Sequence, residues 1–187
     1  MPTTRSVAVL VGSLRKDSLN RKMAHALAGL AAPALKMEIV EIGDLPLYDQ
    51  DLEDATPTPA RWLAFRDAIR GVDAVLFVTP EYNRSVPGPL KNAIDVGSRP
   101  YGQSVWSGKP AAIVSVSPGA LGAFGANHHL RQSLVFLDMH PLQQPEMYIG
   151  GAARLFDQDG KIVNDSTRQL ADRFLNAFGQ LIEKVKT

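Results

Sequence analysis

Several polar side chains that could hold a phosphate group are gathered in one short segment, residues 12–20. It reads Gly-Ser-Leu-Arg-Lys-Asp-Ser-Leu-Asn and lies between an apolar run and a helical pattern. The hydroxyls of Ser13 and Ser18 and the amide of Asn20 can donate hydrogen bonds, and Arg15 adds a charged donor. Free amides at a helix N-terminus also attract an anion. This set of donors suits a terminal phosphate monoester. The alternative is an ordinary polar helix cap with Ser18 at the N-cap position.

Glycine motifs that would indicate other chemistry are absent from the sequence. Neither Gly-x-Gly-x-x-Gly nor Gly-x-x-x-x-Gly-Lys-Ser/Thr occurs, and these motifs bring a backbone close to longer phosphate chains. The Gly-x-Ser-x-Gly motif of α/β-hydrolases is also missing. Residues 12–20, the first loop, are therefore interpreted as a site for a monophosphate.

Two further segments follow apolar runs and could contact a planar ligand. The second loop, residues 79–88, reads Thr-Pro-Glu-Tyr-Asn-Arg-Ser-Val-Pro-Gly. Its prolines stiffen the chain, and Tyr82 offers a flat ring, although a rigid structural turn would also explain this composition. The third loop, residues 117–125, carries glycines at positions where the backbone could approach a ligand closely. Their Gly-x-x-Gly-x-x-Gly spacing does not match the dinucleotide fingerprint.

The elements that must position these loops alternate along the chain. Predicted strands cover residues 6–11, 37–42, 74–79, 111–117 and part of 142–149. Predicted helices cover 19–30, 59–70, 90–96, a segment around 130–137 and a last helix from 166. Thr58 is the predicted N-cap of the second helix, with Pro59 at its first position, and Ser166 with Gln169 forms a predicted capping box.

This alternation predicts an α/β protein with a flavodoxin-like, doubly wound parallel sheet. Five strands in the order 2-1-3-4-5, with helices on both faces, fit the length of the chain. In such sheets ligands bind outside the carboxyl ends of the strands. The first, second and third loops follow the first, third and fourth strands, so we expect them to form one crevice.

Composition limits the other classes of function. The 187 residues suit a single domain, residues 1–187, and 20 basic against 19 acidic residues leave no basic field for nucleic acid or a membrane surface. Cysteine is absent, which excludes thiolate nucleophiles, disulfides and iron–sulfur clusters. Signal-peptide and membrane-helix patterns are missing, so a cytoplasmic location is expected. A redox function would need a bound cofactor.

Histidines and acids elsewhere in the chain are discounted as catalytic or metal-binding groups. His128 and His129 are adjacent on a predicted helix and point about 100° apart, so they cannot bind one metal from one face. We therefore predict no metal site, and we name no catalytic acid or base. An acidic segment within residues 43–59 is interpreted as a solvated face, and Trp62 and Phe65 as core residues.

The motifs of this chain resemble those of the NAD(P)H-dependent FMN reductase family. The resemblance rests on Gly-Ser-x-Arg-x-x-Ser-x-Asn at residues 12–20, Pro-Glu-Tyr-Asn-x-Ser-x-Pro-Gly-x-Leu-Lys-Asn-Ala-Ile-Asp at 80–95, and Ser-Arg-Pro at 98–100. It extends from about Val7 to at least His140. The family includes bacterial quinone, chromate, ferric and azo-dye reductases.

The resemblance implies bound FMN, NADPH or NADH as the reductant, and small-molecule acceptors reduced in a ping-pong cycle. It also implies a homodimer or a dimer of dimers with each flavin near an interface, which the acidic segment of the partner would approach. The residues that should hold the FMN phosphate are Ser13, Arg15, Ser18, Leu19 and Asn20. Those that should line the ring and ribityl chain are Pro80, Glu81, Tyr82, Asn83, Arg84 and Ser85. Ser117, Pro118 and Gly119 should cover the remaining ring edge.

Three positions depart from the family pattern. Arg84 replaces a tyrosine or small residue, Pro89 replaces a small residue, and Gly125 lies near a common arginine. Arg84 is a hypothetical contact for the phosphate of the reductant or for the substrate.

The alternatives are a reductase that uses FMN as a diffusible substrate, a flavodoxin-type electron carrier and a nucleotide-binding sensor, although carriers are usually strongly acidic and this chain has a net charge of +1.

Overall fold

The computed structural model describes residues 4–186 as a parallel β-sheet with helices on both faces. The strands are β1 (Arg5–Val11), β2 (Leu35–Ile39), β3 (Ala74–Thr79), β4 (Pro110–Val116), β5 (His140–Pro141) and β6 (Met147–Ile149). The helices are α1 (Leu19–Ala31), α2 (Gln50–Asp54), α3 (Ala60–Arg70), α4 (Gly88–Gly97), α5 (Phe124–Phe136) and α6 (Asp165–Lys186), with a 3₁₀ turn at Ala152–Arg154.

The strand order β2-β1-β3-β4-β5 confirms the predicted flavodoxin-like topology. The fifth position is occupied by two short strands instead of one: β5 pairs with the start of β4, and β6 pairs with its end. Proline explains the interruption, since Pro141 and Pro145 have no N–H to donate to a ladder. The prediction of a single fifth strand within residues 142–149 therefore missed the part at His140.

Two apolar layers enclose the sheet. Side chains of β1 alternate between them: Val7, Val9 and Val11 pack with α1 and α6, whereas Ala8 and Leu10 pack with α3, α4 and α5. A strand buried on both faces needs apolar residues at every position, which is why the strand sequences are continuous apolar runs. Trp62 and Phe65 are fully buried in the second layer, as predicted.

The caps of two helices differ from the predictions. Helix α3 begins at Ala60 with Pro59 at the N-cap and no side-chain cap, so Thr58 does not cap it. Before α6, Asn164 Oδ1 accepts hydrogen bonds from Thr167 N at 2.9 Å and from Ser166 Oγ at 2.6 Å. The predicted Ser166 capping box is wrong because Asn164, two residues earlier, already accepts the helix amide.

The acidic segment is only partly a solvated face. Asp49 caps the short helix α2, which the sequence did not predict, by accepting a hydrogen bond from Asp51 N at 2.9 Å. The side chain of Glu53 is almost completely shielded and forms an ion pair with the buried Arg66 of α3. Asn92 of α4 also holds this segment, since its Oδ1 accepts from Tyr48 N at 2.8 Å. Among residues 4–186, no helix is long and apolar enough to span a membrane.

Candidate functional site

Three neighbouring strands bring the three loops to one edge of the sheet. Strands β1, β3 and β4 lie side by side, and their carboxyl ends are Val11, Thr79 and Val116. Gly12 N donates to Val78 O at 2.9 Å, so the first loop leaves the sheet directly beside the second. The expected crevice is therefore built from adjacent parallel strands, which is where this fold binds ligands.

The first loop has buried polar residues on its inner side and exposed residues on its outer side. Ser13, Ser18 and Asn20 are buried, Leu19 packs against the core, and Arg15 is exposed. Ser18 is the N-cap residue of α1, as the alternative interpretation of this loop predicted. Its Oγ accepts a hydrogen bond from Arg21 N at 3.2 Å. A hydroxyl that accepts in this way still has its own proton to donate. Helix capping and anion binding are therefore compatible at Ser18.

Asn20 carries a buried polar atom without a partner. Its Nδ2 donates to Val116 O at 3.3 Å, which ties α1 to the end of β4 and fixes the orientation of the amide. Its Oδ1 is shielded from solvent and accepts no hydrogen bond. Such an atom costs on the order of 1–3 kcal/mol when it stays unpaired. A ligand that brings hydroxyl groups next to a phosphate would satisfy it, and the ribityl phosphate of FMN has this chemistry.

The second loop contains a two-residue β-turn. Tyr82 and Ser85 exchange both backbone hydrogen bonds at 3.1 Å, and the two residues between them have positive φ, 51° for Asn83 and 65° for Arg84. These are the torsions of a type I′ turn, in which arginine is an unusual occupant. Residues 82–85 are called the ring turn below. Pro80, just before it, is buried, whereas Tyr82, Asn83 and Arg84 are exposed and Ser85 is half-buried.

The Glu81 carboxylate lies on the first turn of α5. Its Oε2 accepts a hydrogen bond from Ala126 N at 3.1 Å, and its Oε1 lies 3.4 Å from Nη1 of Arg84. A Cβ atom at Gly125 would come within 2.9 Å of Glu81 Oε2 and 3.0 Å of Arg84 O. A side chain at 125 would therefore crowd both groups, and glycine lets the second loop pack closely on α5.

The third loop packs against β6. Ser117 Oγ accepts from Gly119 N at 3.1 Å, and Ser117 N donates to Ile149 O at 2.9 Å. A Cβ atom at Gly122 would lie 2.8 Å from the backbone of Tyr148, so a glycine here serves close packing of two backbones. Ser117 is half-buried, and Pro118 and Gly119 are exposed at the edge.

Two contacts near the loops could not be anticipated from the sequence. Ser85 Oγ lies 2.9 Å from His129 Nδ1, and His128 Nε2 lies 3.0 Å from the Tyr148 hydroxyl. Both histidines are exposed, and both contact residues at this edge. Burial and a hydrogen bond with Glu146 raise the pKa of Tyr148 to about 12, so this hydroxyl stays protonated at neutral pH. Adjacent histidines gave no spacing signal for either contact.

Polar side chains also surround a cavity outside the three loops, among them Lys22, His25 and Asp159. This cavity of 730 Å³ lies between α1 and residues 157–162, and none of the residues of the three loops lines it. In residues 4–186, no three His, Asp or Glu side chains are grouped so as to hold a metal ion.

The fold and the loops together define a flavodoxin-like protein with a candidate mononucleotide site at the carboxyl edge of its sheet. Residues 5–154 match the family model described as NADPH-dependent FMN reductase. The chain belongs to this family.

Three similar proteins illustrate the relationship. A quinone reductase of Pseudomonas putida is 64% identical over 183 residues, which cover 98% of this chain and 97% of that protein. A 2-hydroxy-1,4-benzoquinone reductase of a Burkholderia species is 49% identical over 172 residues, 92% of this chain and 93% of the relative. The solved structure of FerB, a flavoenzyme NAD(P)H:(acceptor) oxidoreductase from Paracoccus denitrificans, is 45% identical with a TM-score of 0.91, covering 97% of this chain and 98% of that one.

Proposed function

We propose that this protein is an FMN-containing reductase that passes electrons from NADPH or NADH to quinones or other small acceptors. The net reaction on a quinone is NAD(P)H + H⁺ + quinone → NAD(P)⁺ + hydroquinone. The observation that carries the proposal is the position of the donor-rich first loop beside the ring turn at one sheet edge. Membership of the FMN reductase family supports it.

The proposed FMN site is divided among the three loops. The first loop would hold the phosphate with the Ser13 and Ser18 hydroxyls, the Arg15 guanidinium and the amides at the start of α1. Asn20 Oδ1 would accept a hydrogen bond from a ribityl hydroxyl, because its orientation is already fixed by the bond to Val116 O. Leu19 would support this loop from the core side.

The ring would lie against the second and third loops. The second loop offers the backbone of Pro80, Glu81 and Asn83 and the exposed Tyr82, while Ser117, Pro118 and Gly119 would cover the other edge. FMN held there would supply two-electron redox chemistry between NAD(P)H and the acceptor. The protein residues orient the reactants, and we assign no catalytic acid or base.

Quinones are the acceptor class that we favour. Relatives with 64% and 49% identity are named a quinone reductase and a benzoquinone reductase. The proposal extends to chromate, ferric chelates and azo compounds, because these also take electrons readily from a reduced flavin. The net charge of +1 argues against a carrier that recognises basic protein partners.

The proposal includes a single FMN-binding domain over residues 1–187, a cytoplasmic location, and a homodimer or dimer of dimers with the flavins near an interface. Exposed apolar side chains support an interface on the segment that Asn92 holds. Leu47 of this segment is 77% exposed, and Tyr101 in the loop after α4 is 92% exposed. The guanidinium of Arg99, from the same loop as Tyr101, lies over the ring of Tyr48, the residue after Leu47. Large exposed apolar groups of this kind mark contact surfaces.

The test is the absorption spectrum of the purified protein, followed by addition of NADPH without oxygen. We expect the bands of oxidised flavin, their loss on addition of NADPH, and their return when a quinone is supplied. Colour that appears only after FMN is added would indicate a diffusible flavin substrate. A protein that stays colourless with added FMN would overturn the proposal.

A further inference from the structure

We propose that α5 positions the ring turn, and that Glu81 and His129 are the positioning residues that hold it. The consequence of this inference for flavin binding rests on the proposed function, whereas the contacts of Glu81 and His129 do not. Neither side chain needs to touch the reacting atoms.

Glu81 supplies a cap that α5 lacks. The N-cap residue of α5 is Ala123, which has a left-handed conformation and no side chain able to accept from the helix amides. The carboxylate of Glu81 takes this role from another loop, because its Oε2 accepts from Ala126 N at 3.1 Å. A carboxylate is favoured at the positive end of a helix. The interaction is shielded, since only 13% of the Glu81 side chain is exposed.

His129 lies about one helical turn beyond Ala126 and contacts the other end of the ring turn. Its Nδ1 is 2.9 Å from Ser85 Oγ. Gly125, Ala126 and His129 lie close together on one side of the helix. Glu81, just before the ring turn, and Ser85, its last residue, are thus both attached to that side of α5.

The ring turn needs such support because its torsions are unfavourable. Arg84 has a φ of 65°. This left-handed conformation costs free energy for a residue with a Cβ atom, and it persists only where the surrounding structure holds it. The space left by Gly125 lets Arg84 O approach α5, where a Cβ atom would come within 3.0 Å. The contacts of Glu81 with Ala126 N and of His129 with Ser85, here called the clamps, therefore hold the backbone amides of the second loop in one arrangement before the flavin binds.

The first experiment measures hydrogen exchange of the backbone amides of Tyr82 and Ser85, which bond to one another across the ring turn. We expect faster exchange in Glu81→Ala and His129→Ala, and near-normal exchange in Glu81→Gln, since glutamine keeps an oxygen that can accept from Ala126 N. The controls are Glu183→Ala, which removes an ion-paired glutamate of α6, and His140→Ala, which removes an exposed histidine. Unchanged exchange in both clamp variants would overturn the proposal.

The second experiment measures FMN affinity and the visible circular dichroism of the bound flavin. We expect Glu81→Ala to raise the Kd by about tenfold, the scale of one charge-assisted hydrogen bond, and to alter the dichroism. Glu81→Gln should restore most of both, and the controls should stay within about twofold of the parent. Parent-like affinity and dichroism in Glu81→Ala would contradict the role in flavin binding. If the parent protein binds no FMN, the proposed function fails, and the exchange experiment alone decides whether the clamps exist.

Discussion

Arg66 and Glu53 form an ion pair in which both side chains are almost completely buried, 1% and 6% exposed. Arg66 Nε also donates to Val96 O at 2.9 Å, and its guanidinium lies over the ring of Trp62. A single arginine thus joins α2 and α4 to α3. Removing one member of a buried pair leaves an uncompensated charge, whereas replacing both with apolar groups can be neutral.

We therefore expect Glu53→Ala to reduce the free energy of unfolding by about 3–5 kcal/mol, as is typical for a broken buried ion pair. Urea denaturation would measure this loss. The double variant Glu53→Leu with Arg66→Met should recover much of it. A loss below about 1 kcal/mol in Glu53→Ala would mean that water reaches Arg66 and that the pair is not structurally important.

Arg84→Ala should raise the KM for the reductant while kcat changes little. The Arg84 side chain is 76% exposed at the ring turn and meets Glu81 only at 3.4 Å, so it is available for a phosphate of the nucleotide. An exposed charged contact is worth about 1 kcal/mol, which corresponds to about fivefold in KM. Steady-state kinetics with NADPH and NADH would measure it, with Arg70→Ala as the control. If the KM values for both nucleotides stay the same, Arg84 does not contact the reductant.

Asn20→Ala should weaken FMN binding with little effect on folding. The variant removes the hydrogen bond to Val116 O, which lowers the free energy of unfolding. It also removes a buried acceptor without a partner, which raises the free energy of unfolding, so the two effects offset each other. We expect an increase of about tenfold or more in the FMN Kd, measured by quenching of flavin fluorescence. Asn164→Ala is the control, because it should cost about 1 kcal/mol as a lost helix cap and leave FMN binding unchanged. Equal FMN affinities for Asn20→Ala and the parent would exclude the ribityl contact.

Asp73 should contribute to stability at neutral pH but not in strong acid. Burial opposes its charge, but hydrogen bonds from Lys186 and Ser6 outweigh burial and lower the pKa of Asp73 from 3.8 to about 2. Because the folded pKa lies below the unfolded value, this contribution is complete above about pH 4 and disappears as the pH falls through 2.

For Asp73→Asn we expect a loss of about 2 kcal/mol near pH 7, at 1.36 kcal/mol for each unit of pKa. The difference from the parent should vanish near pH 2. Urea denaturation across this range would measure both limits. A difference that stays constant with pH would show that asparagine disturbs packing rather than removing a favourable charge.

Local patterns were sufficient to predict the sheet order and the three loops. Strands buried on both faces show themselves as continuous apolar runs, and their alternation with helical patterns restricts the topology. The capping of α6 was mispredicted because Asn164 and Ser166 are both good cap formers and only the backbone geometry selects between them. The pairing of Glu53 with Arg66 and the contact of Ser85 with His129 join residues far apart in the chain, and no local spacing encodes them.

The division of the fifth strand position has a consequence for self-association. The outer edge there consists of a two-residue and a three-residue strand, and Pro141 has no N–H to offer a neighbour. At the opposite edge, β2 presents the exposed charged side chains Lys36 and Glu38. Short strands, proline and charge all disfavour the addition of a foreign strand. The sheet is therefore poorly suited to growing by edge-to-edge stacking into fibres, and an ordered assembly of copies would have to use helices and loops.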